Sequence, residues 1–332
     1  MYDGCFTQGV DEMMKQSISI IIPIKSNRIS VIDELCTYLR KLDNDLEATE
    51  IEYEIIIADE CPNNLSKQFE ELSLLENIVH IVPLDRSGKN DKLNGVYASI
   101  KQAKKEYCLI VDDHYRITAT EIAEIIPCFE EFDLFKVVPI FKKYSMDIMI
   151  DQAGFFFRCV FDKRKQYAGH IAMKLSLYKK FGFPDRNGLY DEYIVEKYYF
   201  DKGAHCGFPK KKYFTATQRI TVSKFLEQRI RYSYENIAFP MRFIAHLCLL
   251  PFFVISLYTT EKYALLLFLL YVNYIMLVSF WGQVKYGKSN MPPVFLFAGI
   301  WHLSYWITSW IALFLFWTRG VSFGGNRIYN AK

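Results

Sequence analysis

The chain has 332 residues, 51% of them hydrophobic and 17% aromatic, with 40 Lys plus Arg against 37 Asp plus Glu. That length accommodates one large domain plus an appendage, and a net charge of +3 is too small to point to nucleic acid, so no nucleic-acid partner is expected. Eight cysteines are scattered without CxxC or zinc-ligand spacing, the pattern of a reduced compartment.

Residues 1–16 are polar and acidic with no apolar core. They read as an N-terminal polar extension rather than a signal peptide, so the domain that follows is expected in the cytoplasm. Residues 19–24 are almost wholly apolar, with Pro23 near the end and Lys25 just after. A strand of that kind is buried on both faces, as in parallel sheets. Ser30 is the expected cap of a helix reaching about Leu42, with Asp33 at the capping-box position. Then come a strand at 53–58 ending on Asp59-Glu60, a polar helix at 65–74, a strand at 78–82 and a helix at 91–103. A strand at 107–111 delivers Asp112-Asp113-His114 to a loop. A helix over 118–130, with Pro127 as its break point, and a strand at 134–141 complete the pattern. This alternation predicts an α/β, doubly wound domain, in which ligands sit beyond the carboxyl ends of the strands. Lys25, Asp59, Glu60, Asp112 and Asp113 all fall at such ends. The segment 155–161, apolar with a basic edge at Arg158, reads either as interfacial or as buried core.

After Phe239 the chain becomes strongly apolar. Crossing the hydrocarbon takes about 20 apolar residues, which the runs 263–281 and 294–317 supply. The run 243–258 is shorter and holds His246 and Pro251; it spans with a tilt, lies in the interface or re-enters. The expected organisation is an extension at 1–16, a cytoplasmic catalytic domain at 17–235, and a membrane domain at 236–332 with two or three transmembrane helices and a short tail. Three crossings would set Arg319, Arg327 and Lys332 on the far side, against the bias of basic residues toward the cytoplasm.

Asp112-Asp113-His114 offers hard oxygen ligands and an imidazole, and a divalent cation that bridges two phosphates takes one or two protein carboxylates. The stretch around Lys89 lacks the spacing of a phosphate loop, but Lys89 stands near a helix start, where phosphates bind. Asp191-Glu192 opens an amphipathic stretch ending at Gly203. Either carboxylate can take a proton from a hydroxyl, and both also suit a helix N-terminus. Gln228, Arg231 and Tyr232 stand just before the membrane part. They offer charge for a diphosphate leaving group and an aromatic for stacking, or else a membrane anchor.

Taken together, these segments resemble the GT-A-fold glycosyltransferases of family two, in the membrane-bound branch near the ceramide glucosyltransferases. The resemblance runs from Ser17 to about Tyr234. Ser19-Ile20-Ile21-Ile22-Pro23 is similar to the first strand, and Asp59-Glu60 to the acidic pair that contacts the nucleotide. Residues 88–95, GKNDKLNG, resemble GKAxALNxG, and Asp112-Asp113-His114 stands at the metal-binding DxD. Gly169-His170 opens a segment similar to the one lining the donor pocket. Asp191-Glu192 falls on the pair holding the catalytic base, Gln228 to Tyr232 on QxxRW, and residues 317–329 resemble a WxG…GRxY tail. His114 and Glu192 replace Asp, and Tyr232 replaces Trp. The resemblance implies an inverting glycosyltransferase that uses a nucleotide-diphosphate sugar, by expectation a UDP-sugar. With the strand-end placement, it gives the expected donor contacts as Lys25, Asp59, Glu60, Lys89, Asp112, Asp113, Gly169, His170, Gln228, Arg231 and Tyr232. It implies a divalent cofactor, Mn²⁺ or Mg²⁺, on Asp112 and His114, and Glu192 or Asp191 as base. The expected acceptor is a membrane lipid or lipid-linked saccharide. A processive polysaccharide synthase and a catalytically inactive, membrane-anchored sugar-binding protein remain as other readings.

Overall fold

The computed structural model describes residues 16–161, 169–217, 222–323 and 326–329. The extension expected at 1–16 lies outside the described residues except for Gln16. Strands β1 (Ser17–Ile24), β2 (Glu52–Asp59), β3 (Ile78–Ile81) and β4 (Tyr107–Ile110) run parallel in the order β3-β2-β1-β4. Ile20, Ile21 and Ile22 are all but fully buried, because the sheet is covered on both faces. Helices α1 (Ile29–Glu47) and α2 (Asn63–Leu72) pack on one face, and α3 (Asp91–Gln102) on the other.

Ser30 does not cap α1. The helix begins two residues earlier than that cap would set it, at Ile29, with Arg28 at the cap position and no side-chain cap. It runs on to Glu47 because Leu35, Leu39, Leu42 and Leu46 keep a helical repeat of buried side chains. The capping box sits instead at Thr118 with Glu121. It opens α4 (Ala119–Ile125), which Pro127 separates from the single turn α5 (Cys128–Glu131).

β5 (Leu134–Phe141) leads through α6 (Met146–Phe161) to β6 (His170–Lys174), which inserts antiparallel between β4 and β5. The sheet is therefore mixed. The start of β6 meets the carboxyl end of β4, which sets His170 beside the Asp112 loop. Helices α7 (Leu175–Phe181) and α8 (Asp191–Asp201) follow; then β7 (Cys206–Gly207) and β8 (Tyr213–Ala216) extend the sheet beside β5. Lys136 of β5 and Glu196 of α8 form a buried ion pair at 2.6 Å that ties α8 to the sheet. The segment 155–161 is the end of α6: Phe155, Phe156 and Cys159 are buried, while Phe161 is exposed.

After α9 (Val222–Glu235) come α10 (Pro240–Thr259), α11 (Glu261–Tyr286) and α12 (Ala298–Thr318). Three helical stretches, 240–259, 263–286 and 294–318, are long and apolar enough to cross a membrane, with mean hydropathies of 1.8, 2.1 and 1.3. The run 243–258 reaches that length because Pro240 starts the helix at its first position, where a proline's missing N–H costs nothing. The hairpin β9 (Val321–Phe323) and β10 (Asn326–Ile328) closes the described chain. It turns back onto the α/β domain: the Asn326 amide donates to Asp91 Oδ1 at 2.9 Å and to the Lys89 carbonyl at 3.2 Å. Tyr234 OH donates to the Tyr329 carbonyl at 2.8 Å.

Candidate active site

A cleft of about 410 Å³ opens at the carboxyl ends of β1, β2 and β4. The parallel strands deliver Lys25, Glu60 and Asp112-Asp113-His114 to it. The first turn of α8 delivers Asp191 and Glu192, where the helix dipole favours acids. Helix α9 delivers Gln228, Arg229, Arg231, Tyr232 and Glu235. Residues 80 or more apart in sequence thus line one cavity.

Its centre is Lys92, in the first turn of α3. The ammonium lies 2.7 Å from Asp112 Oδ1, 2.6 Å from Asp191 Oδ2 and 3.3 Å from Glu192 Oε1. Sequence reasoning missed this residue. The available signal was a departure within GKNDKLNG, since Lys92 stands at the second Ala of GKAxALNxG. Burial alone would lower the Lys92 pKa, but Asp112, Asp191 and Glu192 outweigh it and keep the group a cation. Burial would likewise raise Asp112; Lys92, His114 and His170 hold it below the usual carboxylate range. Glu192 goes the other way: burial, with Asp191 alongside, lifts its carboxyl well above the ordinary range.

Glu60 is pushed up to about 7, chiefly by burial and then by the charge of Asp91. Lys25 reaches from the end of β1 to pair with Asp91. Asp59 does not reach the cleft. It is buried beneath it, accepting from Cys61 N at 2.8 Å and facing His80 Nε2 at 3.0 Å. Burial would raise its carboxyl, and the hydrogen bonds from His80, Ser66 and Cys61 override that and hold it low. Lys89 is also not brought to the cleft: the loop 88–90 packs against residues 186–188, and the Lys89 ammonium lies 5.9 Å from the centre of the Tyr329 ring. Gly169 and His170 line a small cavity next to the cleft, together with Lys92, Asp112, Asp191 and Glu192. Burial pushes the His170 imidazole down to about 4, and its Nε2 has no partner among the described residues. Arg229, also missed, is buried and paired with Asp151 of α6, and Arg231 lies 3.4 Å from Glu235. The Glu235 carboxyl is lifted to about 7, by burial first.

Among the described residues no three His, Cys, Asp or Glu side chains gather into a closed metal cage. Asp112 and His114 do both line the cleft, with side chains 27% and 35% exposed. One carboxylate and one imidazole suit a cation whose remaining ligands are phosphate oxygens and water. The donor set fits a divalent ion shared with a diphosphate.

No family model matches the chain, and no curated protein matches it significantly. Solved structures do show likeness. A mannosyltransferase from Pyrobaculum calidifontis, in complex with GDP-Man and Mn²⁺, is 10% identical with a TM-score of 0.48, over 88% of this chain and 86% of that one. TarS of S. aureus is 17% identical with a TM-score of 0.45, over 67% of this chain. This chain spans 40% of TarS, and 64% of its 1–349 form. Glucosyl-3-phosphoglycerate synthase from Mycobacterium tuberculosis, with Mn²⁺ and UDP, is 12% identical with a TM-score of 0.41, over 63% of this chain and 74% of that one.

Proposed function

We propose that the chain is an inverting glycosyltransferase of GT-A type, moving one sugar from a nucleotide-diphosphate sugar, a UDP-sugar, to a lipid or lipid-linked acceptor at the membrane. One observation carries this reading. The Asp112 carboxylate after β4 and the Asp191-Glu192 pair opening α8 approach the same ammonium, within 2.7 Å for Asp112 and Asp191 and 3.3 Å for Glu192. A diphosphate held at the first and a hydroxyl at the second would meet in a single small volume.

Asp112 and His114 would hold a divalent cation, which when bound offsets the charge of the donor's diphosphate. Glu192 removes the proton from the acceptor hydroxyl. The oxygen attacks the anomeric carbon from the face opposite the diphosphate, the carbon–oxygen bond to the diphosphate breaks, and its electron pair leaves with the nucleotide. The raised Glu192 carboxyl suits a base, whose ideal pKa lies near the working pH. Arg231 lines the cleft and brings positive charge toward the leaving group, and Lys25 and Glu60 lie where the nucleotide would enter.

The membrane acceptor is supported by a second groove of about 560 Å³ between α6, α10 and α12. Phe157, Phe161, Met241 and Trp301 line it, with Arg242 at its side. Arg158 lines both the groove and the cleft, joining an apolar channel to the chemistry. The catalytic domain would lie on the cytoplasmic side. The test is purified full-length protein in detergent, offered a panel of nucleotide-sugars with Mn²⁺ and a lipid extract. Selective stabilisation by one donor and a product with one added sugar are expected. Stabilisation by none would refute the reading, and a long polymer would replace it with a processive synthase.

A further inference from the structure

The groove between α6, α10 and α12 combines apolar walls with positive charge. Phe157, Phe161 and Met241 line it, and the last two are exposed at the surface. Arg158 and Arg242 supply the charge, and no Asp or Glu stands among its described lining residues. Arg158 also lines the cleft, so any ligand reaching from the groove to the chemistry passes this guanidinium.

Among the described residues Arg158 forms no ion pair. The carboxylates near it are engaged elsewhere, Asp151 with Arg229 and Glu235 with Arg231. Its guanidinium lies 5.9 Å from the centre of the Trp301 ring, and its Nε donates to the Gly154 carbonyl at a long 3.4 Å. Neither contact neutralises it. A half-buried cation without a counter-ion is unfavourable, and an arriving anion offsets that cost. Phosphate suits best, because the planar guanidinium donates two parallel hydrogen bonds to its oxygens. Asn236 and His246 also line the groove, only 3% and 7% exposed. Asn236 Nδ2 and His246 Nδ1 have no hydrogen-bond partner among the described residues. Buried nitrogens of this kind are costly to leave unpaired, and a headgroup rich in acceptor oxygens would satisfy the Asn236 donor.

We infer that the acceptor is a saccharide joined to its lipid through phosphate, with that phosphate held by Arg158 and Arg242; this rests on the glycosyltransferase reading above. The lipid chain lies along Phe157, Phe161 and Met241, and the saccharide enters the cleft. A neutral lipid, which the likeness to ceramide glucosyltransferases would suggest, brings no charge to Arg158. The phosphate is a handle and not the nucleophile. A phosphate oxygen is already ionised near neutral pH and needs no base, whereas Glu192 lines the cleft, where a hydroxyl does need one. Bond making and breaking at the anomeric carbon are unchanged.

The test has two arms, both on the full chain in uncharged detergent. The first needs no donor and compares binding of farnesyl phosphate with binding of farnesol, which share one tail. The phosphate is expected to bind at least tenfold more tightly. Arg158→Gln should abolish that preference, and Arg158→Lys, which keeps the charge, should retain part of it. Equal affinity for the two lipids, or an undiminished preference in Arg158→Gln, would overturn the inference. The second arm supplies radiolabelled donor with a lipid extract split by anion exchange into neutral and anionic fractions. Label is expected in the anionic fraction, and mild acid, which cleaves sugar–phosphate bonds, should release it within an oligosaccharide. Label in the neutral fraction, or released as a monosaccharide, would overturn the inference and leave the glycosyltransferase reading standing. If no nucleotide-sugar is bound at all, that reading fails, and the first arm still decides whether the groove selects phosphate.

Discussion

Lys92 Nζ lies 2.7 Å from Asp112 Oδ1, on the very carboxylate that a donor-bound cation would use. The same ammonium holds Asp191 and Glu192, so the proposed metal loop and the proposed base are linked through one side chain. Replacing it by Lys92→Met should leave three partly buried carboxylates facing one another without a counter-charge. Turnover is expected to fall at least tenfold, about 1.4 kcal/mol, while Mn²⁺ binding measured without donor tightens. Unchanged Mn²⁺ affinity would show that Lys92 does not compete for Asp112.

Asp112→Asn should keep the fold and lose most activity, and excess chelator should do the same to the native chain. Both follow from a cation shared between Asp112, His114 and the diphosphate. Full transfer in chelator would remove the metal from the mechanism.

Glu192→Gln preserves shape but not basicity. General-base catalysis contributes about 10²–10⁴-fold, so kcat should fall by that range while donor affinity changes little. Should Glu192→Gln remain active and Asp191→Asn be dead, Asp191 is the base.

The raised Glu192 carboxyl has a pH signature. A base acts only when ionised. A folded-state pKa above the ordinary value of about 4.3 keeps it protonated to higher pH. The rate should therefore climb with pH along a single limb that lies above the usual glutamate range, then level off. A limb at the ordinary glutamate value would contradict the assignment, as would persistence of the limb in Glu192→Gln.

Lys136 and Glu196 are paired with side chains only 1% and 3% exposed. Removing one partner of a buried pair strands a charge and costs about 3–5 kcal/mol. Lys136→Met should lower the unfolding temperature sharply, and adding Glu196→Met should recover much of the loss. Because Glu196 sits one turn after Glu192 on α8, the single variant should also lower kcat. Equal stability of all three proteins would show the pair to be energetically idle.

Much of this architecture is written locally. The apolar runs at β1, β2 and β4 announce strands buried on both faces because no polar alternation interrupts them. Pro127 marks the break between α4 and α5 because it cannot continue an α-helix. The three apolar helices are legible from length alone, and Asp112-Asp113-His114 from its place after a buried strand. Local rules failed where a cap had competitors: the cap falls at Arg28, two residues before Ser30, and the helix's entry is set by packing of Ile32 and Leu35.

What sequence could not settle depends on who meets whom across long separations. Asp59 and Glu60 are neighbours in the chain, yet the alternation of a strand's side chains buries one and turns the other to the cleft. Lys89 and Lys92 sit three residues apart, yet the way α3 packs sends one to Tyr329 and the other to three carboxylates. Hydropathy identifies α10, α11 and α12 as equally fit to cross a membrane, because it counts composition and ignores contacts. Only the contacts made across the fold show that α12 packs on α6 and α9, through Trp301 and Thr308, and that Asn326 returns to Asp91.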